Sequence, residues 1–462
     1  MRSDWKTVDL EEISKEITVG FVGSMTSEYQ EHGIPFFRSK NIKAFELDWN
    51  DIKFISPEFH AKIKKSSLKY KDVAIIRTGK PGTACVIPEN VKEANCSDLV
   101  IVRVDEEKVN PYYLSYYINS IAVGQVNSHL VGAVQQHFNV SSAKKIKIHL
   151  PSIEEQNNIA EVLNNLTNKI TNNNQINQTL EEMAQALFKS WFVDFEPVIA
   201  KRTAIEKGED PQLAAMEVIS GKAAQATSNF GGKEYDELRA TADLFPNNLV
   251  ESELGLIPEG WKFGTLNDIT SLIIDHRGKT PKKLGGDWSS SGKPAISAKN
   301  IKNGKLIKHE MIRFVSQELY EKWMVNELQK GDIILTSEGP LGELFFITDD
   351  TKYCLSQRLY AIRANEHLLT PDYLYYYCRS HAFQQELEGR STGTTVTGIR
   401  QSELRKTRIL IPTYDVTKMF STKVILLLQK IGIGNKSNLE LSEIRNTLLP
   451  KLLSGDIELK TE

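Results

Sequence analysis

The sequence predicts an α+β protein with two pseudo-symmetric mixed α/β domains, separated by two long antiparallel coiled-coil helices. Two observations lead to this prediction: an internal repeat with an offset of about 260 residues, and a heptad pattern that follows each copy of the repeat. At 462 residues the chain also exceeds what one hydrophobic core usually holds. We therefore expect several domains.

The two repeats are weakly similar in sequence but keep the same order of features. Residues 40–43 and 299–302 both read KNIK, and Asp72 corresponds to Asp332 at an offset that is one residue longer. Further along, residues 111–114 read PYYL and residues 371–374 read PDYL. Each repeat is thus predicted to be one mixed domain followed by a long helix.

Short β-branched or aromatic runs bounded by Gly, Pro, Asn or Asp predict strands inside each repeat. The clearest are residues 73–77, 99–104, 333–336 and 344–348. The two Pro-x-Tyr-Leu stretches carry a proline suited to a first helical turn and aromatics at helical spacing. They predict short helices whose tyrosines belong to the core.

After each repeat, apolar residues recur at alternating steps of four and three, which is the seam of a coiled coil. The first predicted helix covers residues 153–190, and its seam comprises Ile159, Leu163, Leu166, Ile170, Asn173, Asn177, Leu180 and Leu187. The second seam comprises Phe420, Val424, Leu427, Ile431, Asn438, Leu441 and Leu448.

Both seams turn polar or small in the middle, with Asn173 and Asn177 in one and Gly434 and Asn438 in the other. Such layers fix the register of a helix pair, so the two helices are predicted to pair with each other. The alternative is that each helix packs only on its own domain. A helix of this length is about 57 Å long, comparable to roughly 17 base pairs of DNA.

Composition limits the location and the chemistry. The formal net charge is only -2, which argues against coating nucleic acid by charge alone, although local basic clusters occur in both repeats. No apolar run is long enough to span a bilayer and the first residues do not read as a signal peptide, so a cytoplasmic location is expected. The four cysteines form no metal-binding pattern and are expected to be reduced, structural thiols.

Motifs that indicate catalysis are missing from the sequence. Residues 278–280 read GKT, but a phosphate loop also needs a glycine five positions before Gly278. Ile273 occupies that position. No zinc-protease, nucleophile-elbow or dinucleotide-binding motif occurs either. We expect the chain not to be an enzyme and to hold neither a metal nor a cofactor.

Four stretches together resemble the specificity (S) subunits of type I restriction-modification systems. They are LPSIEEQ at residues 150–156, LFKSWFVDF at 187–195, LGLIPEGW at 254–261 and the terminal segment 448–455. The resemblance covers nearly the whole chain. The start of the second helix departs from the family pattern, because residues 413–416 read TYDV in place of an acidic Glu-Glu-Gln form.

The resemblance implies a non-catalytic subunit that reads a bipartite double-stranded DNA target and docks two methyltransferase subunits. The resemblance also allows a translocating nuclease subunit as a further partner. S-adenosylmethionine is expected only in the partner methyltransferase. The implied boundaries are 1–150 and 251–411 for two target-recognition domains, 151–195 and 412–462 for the helical spacers, and 196–250 for a linker or insertion.

Loop residues with donors, acceptors or positive charge are the candidates for DNA contact. In the first repeat they are Arg38, Lys40, Asn41, Arg77, Lys80, Gln135, Gln136 and His137. In the second they are Arg277, Lys279, Lys299, Asn300, Ser337, Glu338, Thr395, Thr397 and Arg400. The Lys-Asn pair occurs in both repeats, which favours a structural or phosphate-binding role for it.

Two other functions stay open from the sequence. The mixed domains could bind peptides in a protein-interaction scaffold that has no nucleic-acid partner, and binding to DNA with the methyltransferase present would separate the two readings. A free-standing enzyme with an unrecognised site is the third; it predicts turnover by the purified chain alone.

Overall fold

The computed structural model describes residues 2, 4–128, 137–222, 232–393 and 396–459. The first repeat consists mainly of short strands. They are β1 (Lys6–Asp9), β2 (Ser14–Val19), β3 (Ile34–Phe37), β4 (Ile42–Lys43), β5 (Glu46–Leu47), β6 (Lys53–Ile55), β7 (Ser67–Leu68), β8 (Val73–Ile76), β9 (Ala84–Val86), β10 (Ala94–Cys96), β11 (Leu99–Val104) and β12 (Lys147–Leu150).

These strands form two four-stranded sheets and smaller pairs. One sheet is antiparallel in the order β2-β11-β8-β9, and the other has the order β6-β3-β10-β7 with β3 and β10 parallel. Strand β1 pairs antiparallel with β12, which joins the beginning of the repeat to its end. The strands predicted at residues 73–77 and 99–104 are confirmed as β8 and β11.

Helices α1 (Pro57–Lys62), α2 (Pro111–Asn119), α3 (Val123–Ser128) and α4 (Val140–Lys144) complete the first repeat. Pro111 opens α2, and the side chain of Asn110 accepts hydrogen bonds from the first free backbone N–H groups. Tyr113, Tyr116 and Tyr117 of α2 are buried. The predicted core role of these aromatics is confirmed.

The first long helix, α5 (Ile153–Phe192), is followed by a helical segment. That segment contains α6 (Glu196–Lys207), α7 (Pro211–Ser220) and α8 (Gly232–Asp243). Helices α7 and α8 share a small core that includes Ala215, Met216 and Ala242, and α6 packs against α7. A hairpin of β13 (Leu249–Ser252) and β14 (Gly255–Pro258) then leads into the second repeat.

The second repeat follows the plan of the first. Its strands are β15 (Lys262–Thr265), β16 (Thr270–Asp275), β17 (Lys293–Ile296), β18 (Ile301–Lys302), β19 (Lys305–Leu306), β20 (Arg313–Val315), β21 (Ile333–Ser337), β22 (Leu341–Phe346), β23 (Cys354–Leu355), β24 (Leu359–Ala364) and β25 (Arg408–Ile411). Its helices are α9 (Gln317–Trp323), α10 (Pro371–Arg379), α11 (His381–Gly389) and α12 (Gln401–Leu404), and α13 (Tyr414–Ser454) is the second long helix.

The sheet orders show the repeat directly. The order β16-β24-β21-β22 matches β2-β11-β8-β9, the order β20-β17-β23 matches β6-β3-β10, and β15 pairs with β25 as β1 does with β12. The strand predicted at residues 333–336 is confirmed as β21. The one predicted at residues 344–348 is displaced, since β22 begins at Leu341 and ends at Phe346; Gly342 lies inside it with a φ of 87°.

The chain divides into two compact units, residues 1–174 with 435–462, and residues 175–434. Each unit contains part of both long helices. In the first unit, Ile159 and Leu163 of α5 share a core with Leu449 and Leu453 of α13. The early part of one helix therefore meets the late part of the other, so the two segments run antiparallel.

The second unit has the reciprocal arrangement. The aromatic residues Phe188, Trp191 and Phe192 near the end of α5 pack on Phe420 near the start of α13, with ring centroids 5.2 to 6.2 Å apart. These contacts bury the helix segments in the core of the second repeat. The predicted antiparallel pairing is thus confirmed within each unit.

Polar residues meet at the middle of the helices. In the first unit, the Asn173 amide donates to Asn438 Oδ1 over 2.9 Å, and the Asn438 amide donates to Asn174 Oδ1 over 2.9 Å. In the second unit, Asn177 donates to the carbonyl of Ile431 over 3.4 Å, and a Cβ on Gly434 would stand 2.5 Å from Asn177 Oδ1. The small residue is therefore needed where the asparagine packs.

Two further expectations concern membranes and cysteines. Within the described part of the chain, no helix combines the length and apolar character that crossing a bilayer requires. All four cysteines are buried and unpaired. Burial raises the pKa of the Cys85 thiol to about 12, which keeps it protonated and unreactive at neutral pH. The predicted structural role of these thiols is confirmed.

Candidate nucleic-acid interface

In the first repeat, three loops meet at the carbonyl of Asp98. The backbone N–H of Arg77, which follows β8, donates to this carbonyl over 3.0 Å. The hydroxyl of Ser39 donates to the same oxygen over 3.1 Å, and the N–H of Phe138 donates to the carbonyl of Arg77 over 3.0 Å. Residues 38–41, 77–80, 98 and 137 therefore form one surface, which we call the first loop cluster.

Cations surround this cluster. Arg38 donates to the carbonyl of Asp51, and its guanidinium lies 5.9 Å from the ring centre of Tyr29. Lys40 forms an ion pair with the carboxylate of Asp51. Partial burial and the nearby charge of Arg38 lower the pKa of Lys40. The predicted contacts Arg38 and Lys40 thus lie together, each held by Asp51.

The remaining candidates of the first repeat lie on the adjoining loops. Arg77 is half-buried, and its Nε has no hydrogen-bond partner among the described residues. Lys80 is exposed in the same loop, and His137 Nδ1 lies 3.0 Å from the hydroxyl of Thr78. An unsatisfied buried donor is costly unless a ligand meets it. Gln135 and Gln136 lie outside the described residues.

In the second repeat the same backbone arrangement recurs. The N–H of Ser337, at the end of β21, donates to the carbonyl of Arg358 over 2.8 Å, and the N–H of Ile399 donates to the carbonyl of Ser337 over 3.0 Å. The side chain of Glu338 forms an ion pair with Arg358 at 3.1 Å. Residues 277–279, 297–300, 337–339, 356–358 and 396–400 form the second loop cluster.

The predicted residue Arg277 is held in a fixed position. Its guanidinium makes hydrogen bonds of 2.9 and 2.8 Å to the two carboxylate oxygens of Asp275 and one of 3.1 Å to the carbonyl of Ile399. It also lies 4.5 Å from the ring centre of Tyr360. The hydrogen bond to Asp275 raises the pKa of Arg277, so its positive charge is fixed at this edge of the cluster.

A cavity of about 570 Å³ opens in the second loop cluster. Its lining includes the predicted residues Lys279, Lys299 and Asn300. Lys279 donates to the carbonyl of Trp323 over 3.0 Å, while the exposed Lys299 has no ion pair within the described ranges. The cavity wall therefore carries positive charge that the fold does not neutralise.

Several residues of this surface were missed by the sequence reasoning. These are Trp288, Arg313 and Arg358, which also line the cavity, and Arg313 lies 5.1 Å from the ring centre of Trp288. Lys282, which belongs to a basic cluster of the sequence, lines the cavity as well. Arg358 occupies the position that Asp98 holds in the first repeat, and neither residue was predicted as a DNA contact. Thr397 and Arg400 are exposed in the last loop of the cluster, and Thr395 lies outside the described residues.

Two predicted DNA contacts are built into the fold. Asn41 is fully buried; its Oδ1 accepts the N–H of Arg38 over 3.1 Å and its amide donates to the carbonyls of Asp48 and Asn50 over 3.0 Å. Asn300 makes the equivalent bonds to the N–H of Ser297 and to two later carbonyls. This geometry gives both asparagines the structural role that their repetition favours.

The predicted contact Ser337 is buried as well, and its hydroxyl has no hydrogen-bond partner among the described residues. Its neighbour Glu338 reaches the surface and holds Arg358. At this strand end the side chain presented to solvent is therefore that of Glu338, while Ser337 contributes its backbone groups.

A long apolar groove lies elsewhere in the second unit, with a volume of about 1420 Å³. One wall is the end of α5, with Phe188, Phe192 and the exposed Val193, and another is the β13–β14 hairpin, with Leu254 and Leu256. Cationic side chains lie along the groove and are supplied by Lys189, Arg379, Arg390 and Arg408. Exposed apolar surface of this size is typical of a protein-binding site.

The described residues hold no group of three or more His, Cys, Asp or Glu side chains that could bind a metal ion. Both loop clusters present cations together with hydrogen-bonding groups at equivalent strand ends. Such a surface is suited to a polyanion that also carries donors and acceptors to be read.

Comparisons with known proteins show the family of the chain. The family model of the type I restriction modification DNA specificity domain matches residues 2–182 and 258–420, and the chain belongs to this family. It is 27% identical to the type I restriction enzyme HindI specificity subunit of Haemophilus influenzae, over 98% of this chain and 100% of the relative. It is 25% identical to the MjaIX specificity subunit of Methanocaldococcus jannaschii, over 75% of this chain and 67% of the relative.

A solved structure has the same fold. The S subunit of a type I restriction-modification system from M. genitalium superposes with a TM-score of 0.57 at 11% sequence identity, covering 100% of this chain and 98% of that one. The architecture predicted from the sequence, two mixed domains with long helices, is confirmed.

Proposed function

We propose that this chain is the non-catalytic subunit that reads a bipartite DNA sequence for a type I restriction-modification complex. One observation carries the proposal: both repeats place a cationic loop cluster at the same strand ends, on the same backbone hydrogen bonds, with different side chains. A repeated frame with different surface chemistry is suited to recognising two different half-sites of one target.

The chain docks two methyltransferase subunits in this proposal, and these bind S-adenosylmethionine and carry out the chemistry. The proposal is supported by the apolar groove of the second unit, whose exposed side chains Val193, Leu254 and Leu256 lie near four cations. A nuclease subunit joins the assembled complex. Since DNA and S-adenosylmethionine are both cytoplasmic, so is the subunit.

The direct test is to co-express the chain with its partner methyltransferase and to sequence the methylated bases in the host DNA. We expect one consensus with two specified half-sites separated by an unspecified gap. If the complex bound its target no more tightly than DNA of random sequence, the chain would instead be a protein-interaction scaffold. Methyl transfer by the purified chain alone would show that it is an enzyme.

A matched pair of variants tests the docking groove. Val193→Glu puts a charge on the groove wall, whereas Val325→Glu does the same at a valine that is 78% exposed and does not line the groove. We expect Val193→Glu to weaken binding of the methyltransferase, measured by co-purification, and Val325→Glu to leave it unchanged. Equal binding by both variants would remove the groove as the docking site.

The long helices set the gap between the half-sites in this proposal. Inserting one heptad into both α5 and α13 lengthens each helix by about 10 Å, roughly three base pairs. Methylation mapping should then show a correspondingly longer gap. An unchanged gap would contradict a spacing role for the helices without contradicting DNA reading.

A further inference from the structure

One exposed position in each repeat combines an unusual backbone with a changed side chain. Asp98 precedes β11 and Arg358 precedes β24, and both have left-handed backbones, with φ of 55° and 65°. This conformation is unfavourable for an arginine. It is fixed because each carbonyl accepts the N–H at the end of the neighbouring strand, from Arg77 or from Ser337.

Other equivalent positions behave differently. At several positions where the two repeats keep the same residue, its side chain supports the fold: Asn41 and Asn300 hold a loop, and Tyr113 and Tyr373 donate to the carbonyls of His149 and Leu410 over 2.7 and 2.6 Å. At positions 98 and 358 the backbone is kept, but a carboxylate is replaced by a guanidinium. The fold therefore specifies the direction of this residue and leaves its chemistry free.

The surroundings suit each side chain to a nucleobase. Asp98 is exposed, lies in a cluster that contains Arg38 and Lys40, and makes no ion pair with any described residue. Its neighbouring cations can hold phosphates while the carboxylate accepts a hydrogen bond from a base amino group. Arg358 lines the cationic cavity. Its Nε pairs with the carboxylate of Glu338, so the two terminal amino groups of the guanidinium remain for a ligand.

We propose that Asp98 and Arg358 are specificity-determining residues that each read one G·C pair, Asp98 from the cytosine amino group and Arg358 from guanine O6 and N7. These are the base contacts that a carboxylate and an arginine favour in the major groove. The proposal rests on the proposed function and deepens it. It requires a specified G·C pair in each half-site.

Glycine variants give the cleanest test, because they remove the side chain and suit the left-handed backbone. The full chain is assembled with the partner methyltransferase, and relative methylation is measured on targets that differ at single positions. We expect Arg358→Gly to lower discrimination about 5- to 150-fold at one G·C pair of one half-site. Asp98→Gly should have the same effect at one G·C pair of the other half-site.

A matched control and a gain of function accompany these variants. Lys308→Gly removes an exposed cation from another left-handed position of the second repeat, with a φ of 52°, and should leave the consensus unchanged. Arg358→Gln should move the preference at the same position from guanine towards adenine, because glutamine pairs with adenine N6 and N7.

The outcomes are distinct. If the wild-type complex has no consensus, the proposed function fails. If it has one and both glycine variants keep it at every position, the reading role is overturned while the proposed function stands. An equal loss of affinity on all sequences would mean phosphate contact and would also overturn it, as would a weakened position that is not a G·C pair.

Discussion

In the second repeat Arg363 holds the buried carboxylate of Asp332 with two hydrogen bonds of 2.8 Å, whereas in the first repeat the equivalent Arg103 stands 3.7 Å from Asp72. The cross-strand neighbours explain the difference. Arg103 faces Glu16 and forms an ion pair with it, while Arg363 faces Leu272. A repeated residue pair thus keeps its place, but the adjoining strand decides how strongly it interacts.

The starts of the two long helices show a second difference. In α5 the buried Gln156 accepts the N–H of Asn110 over 2.9 Å and donates to the carbonyls of Lys108 and Pro151. At the equivalent place in α13, the buried Thr417 donates its hydroxyl to the carbonyl of Tyr414 in the same helix, and its own carbonyl accepts a hydrogen bond from Thr370. The sequence departure at residues 413–416 therefore coincides with a different attachment of helix to domain.

The largest expected effect separates the two ion pairs. Arg363→Ala leaves the buried carboxylate of Asp332 without a cation and with the N–H of Gln329 as its remaining donor, so we expect a loss of about 2–4 kcal/mol in unfolding free energy. Arg103→Ala should cost about 1 kcal/mol, because most of its interaction is with the exposed Glu16. Calorimetric unfolding of the full chain measures both, and equal losses would contradict the comparison. Arg202→Ala, in an exposed pair on α6, is the control.

The next effect concerns Asp372, whose place in the first repeat is taken by Tyr112. Burial raises the pKa of Asp372 to about 6 despite a hydrogen bond of 2.8 Å from Ser421. Between about pH 4 and pH 6, Asp372 therefore keeps its proton in the folded state but loses it in the unfolded state. The free energy of unfolding falls as the pH rises through this range.

The variant Asp372→Asn removes this titration. Between pH 4 and pH 7, the unfolding free energy of this variant should rise by about 1–3 kcal/mol relative to that of the wild type. The difference between the two stability curves is the quantity to measure, because Asp72, whose pKa burial also raises to about 6, contributes equally to both. A flat difference curve would show that Asp372 does not titrate in this range.

A smaller and equal effect is expected at the tyrosines that the repeats share. Tyr113→Phe and Tyr373→Phe each remove one hydrogen bond to a carbonyl next to the long helix, which should cost about 1 kcal/mol apiece. Thermal unfolding of the two variants checks this. Tyr414→Phe, at an exposed tyrosine, should leave stability unchanged. A large difference between the first two variants would mean that the repeats do not use this bond alike.

The smallest expected effect compares Lys299 with Lys40. Lys40 is paired with Asp51, whereas Lys299 has no ion pair in the described part of the chain. Lys299→Ala should lower the salt dependence of DNA binding by the complex by about one phosphate contact, and Lys40→Ala by less. Affinity measured over a range of salt concentrations gives both slopes. If Lys40→Ala lowered the salt dependence more than Lys299→Ala does, Lys40 rather than Lys299 would be the phosphate contact.

Much of the fold was predictable because its signals are local. The heptad steps predict α5 and α13, and Pro111 and Pro371 predict the starts of α2 and α10. The displacement of β22 arose because Gly342, which reads as a turn residue, is held inside the strand pair, where β21 pairs from Ile333 to Ser337 with a register shift.

The candidate site was predictable only in outline. The repeat predicted the loops that form the two clusters, but not which of their side chains reach the surface. Asn41, Asn300 and Ser337 are buried, whereas Arg77 and Lys299 reach the clusters. Arg313 and Arg358 were missed because neither belongs to a motif or a cluster of basic residues in the sequence. Only the pairing of β17 with β20 and β23, and of β21 with β24, brings these loops together.

By itself the sequence determined the duplicated plan, the two long helices and the polar layers in their seams, since these follow from spacing along one chain. Tertiary structure alone decided which repeated residues support the fold and which reach solvent. It also decided that the same Arg–Asp pair is tight in one repeat and loose in the other. Burial and ion pairing depend on neighbours supplied by other strands, and those neighbours differ between the repeats.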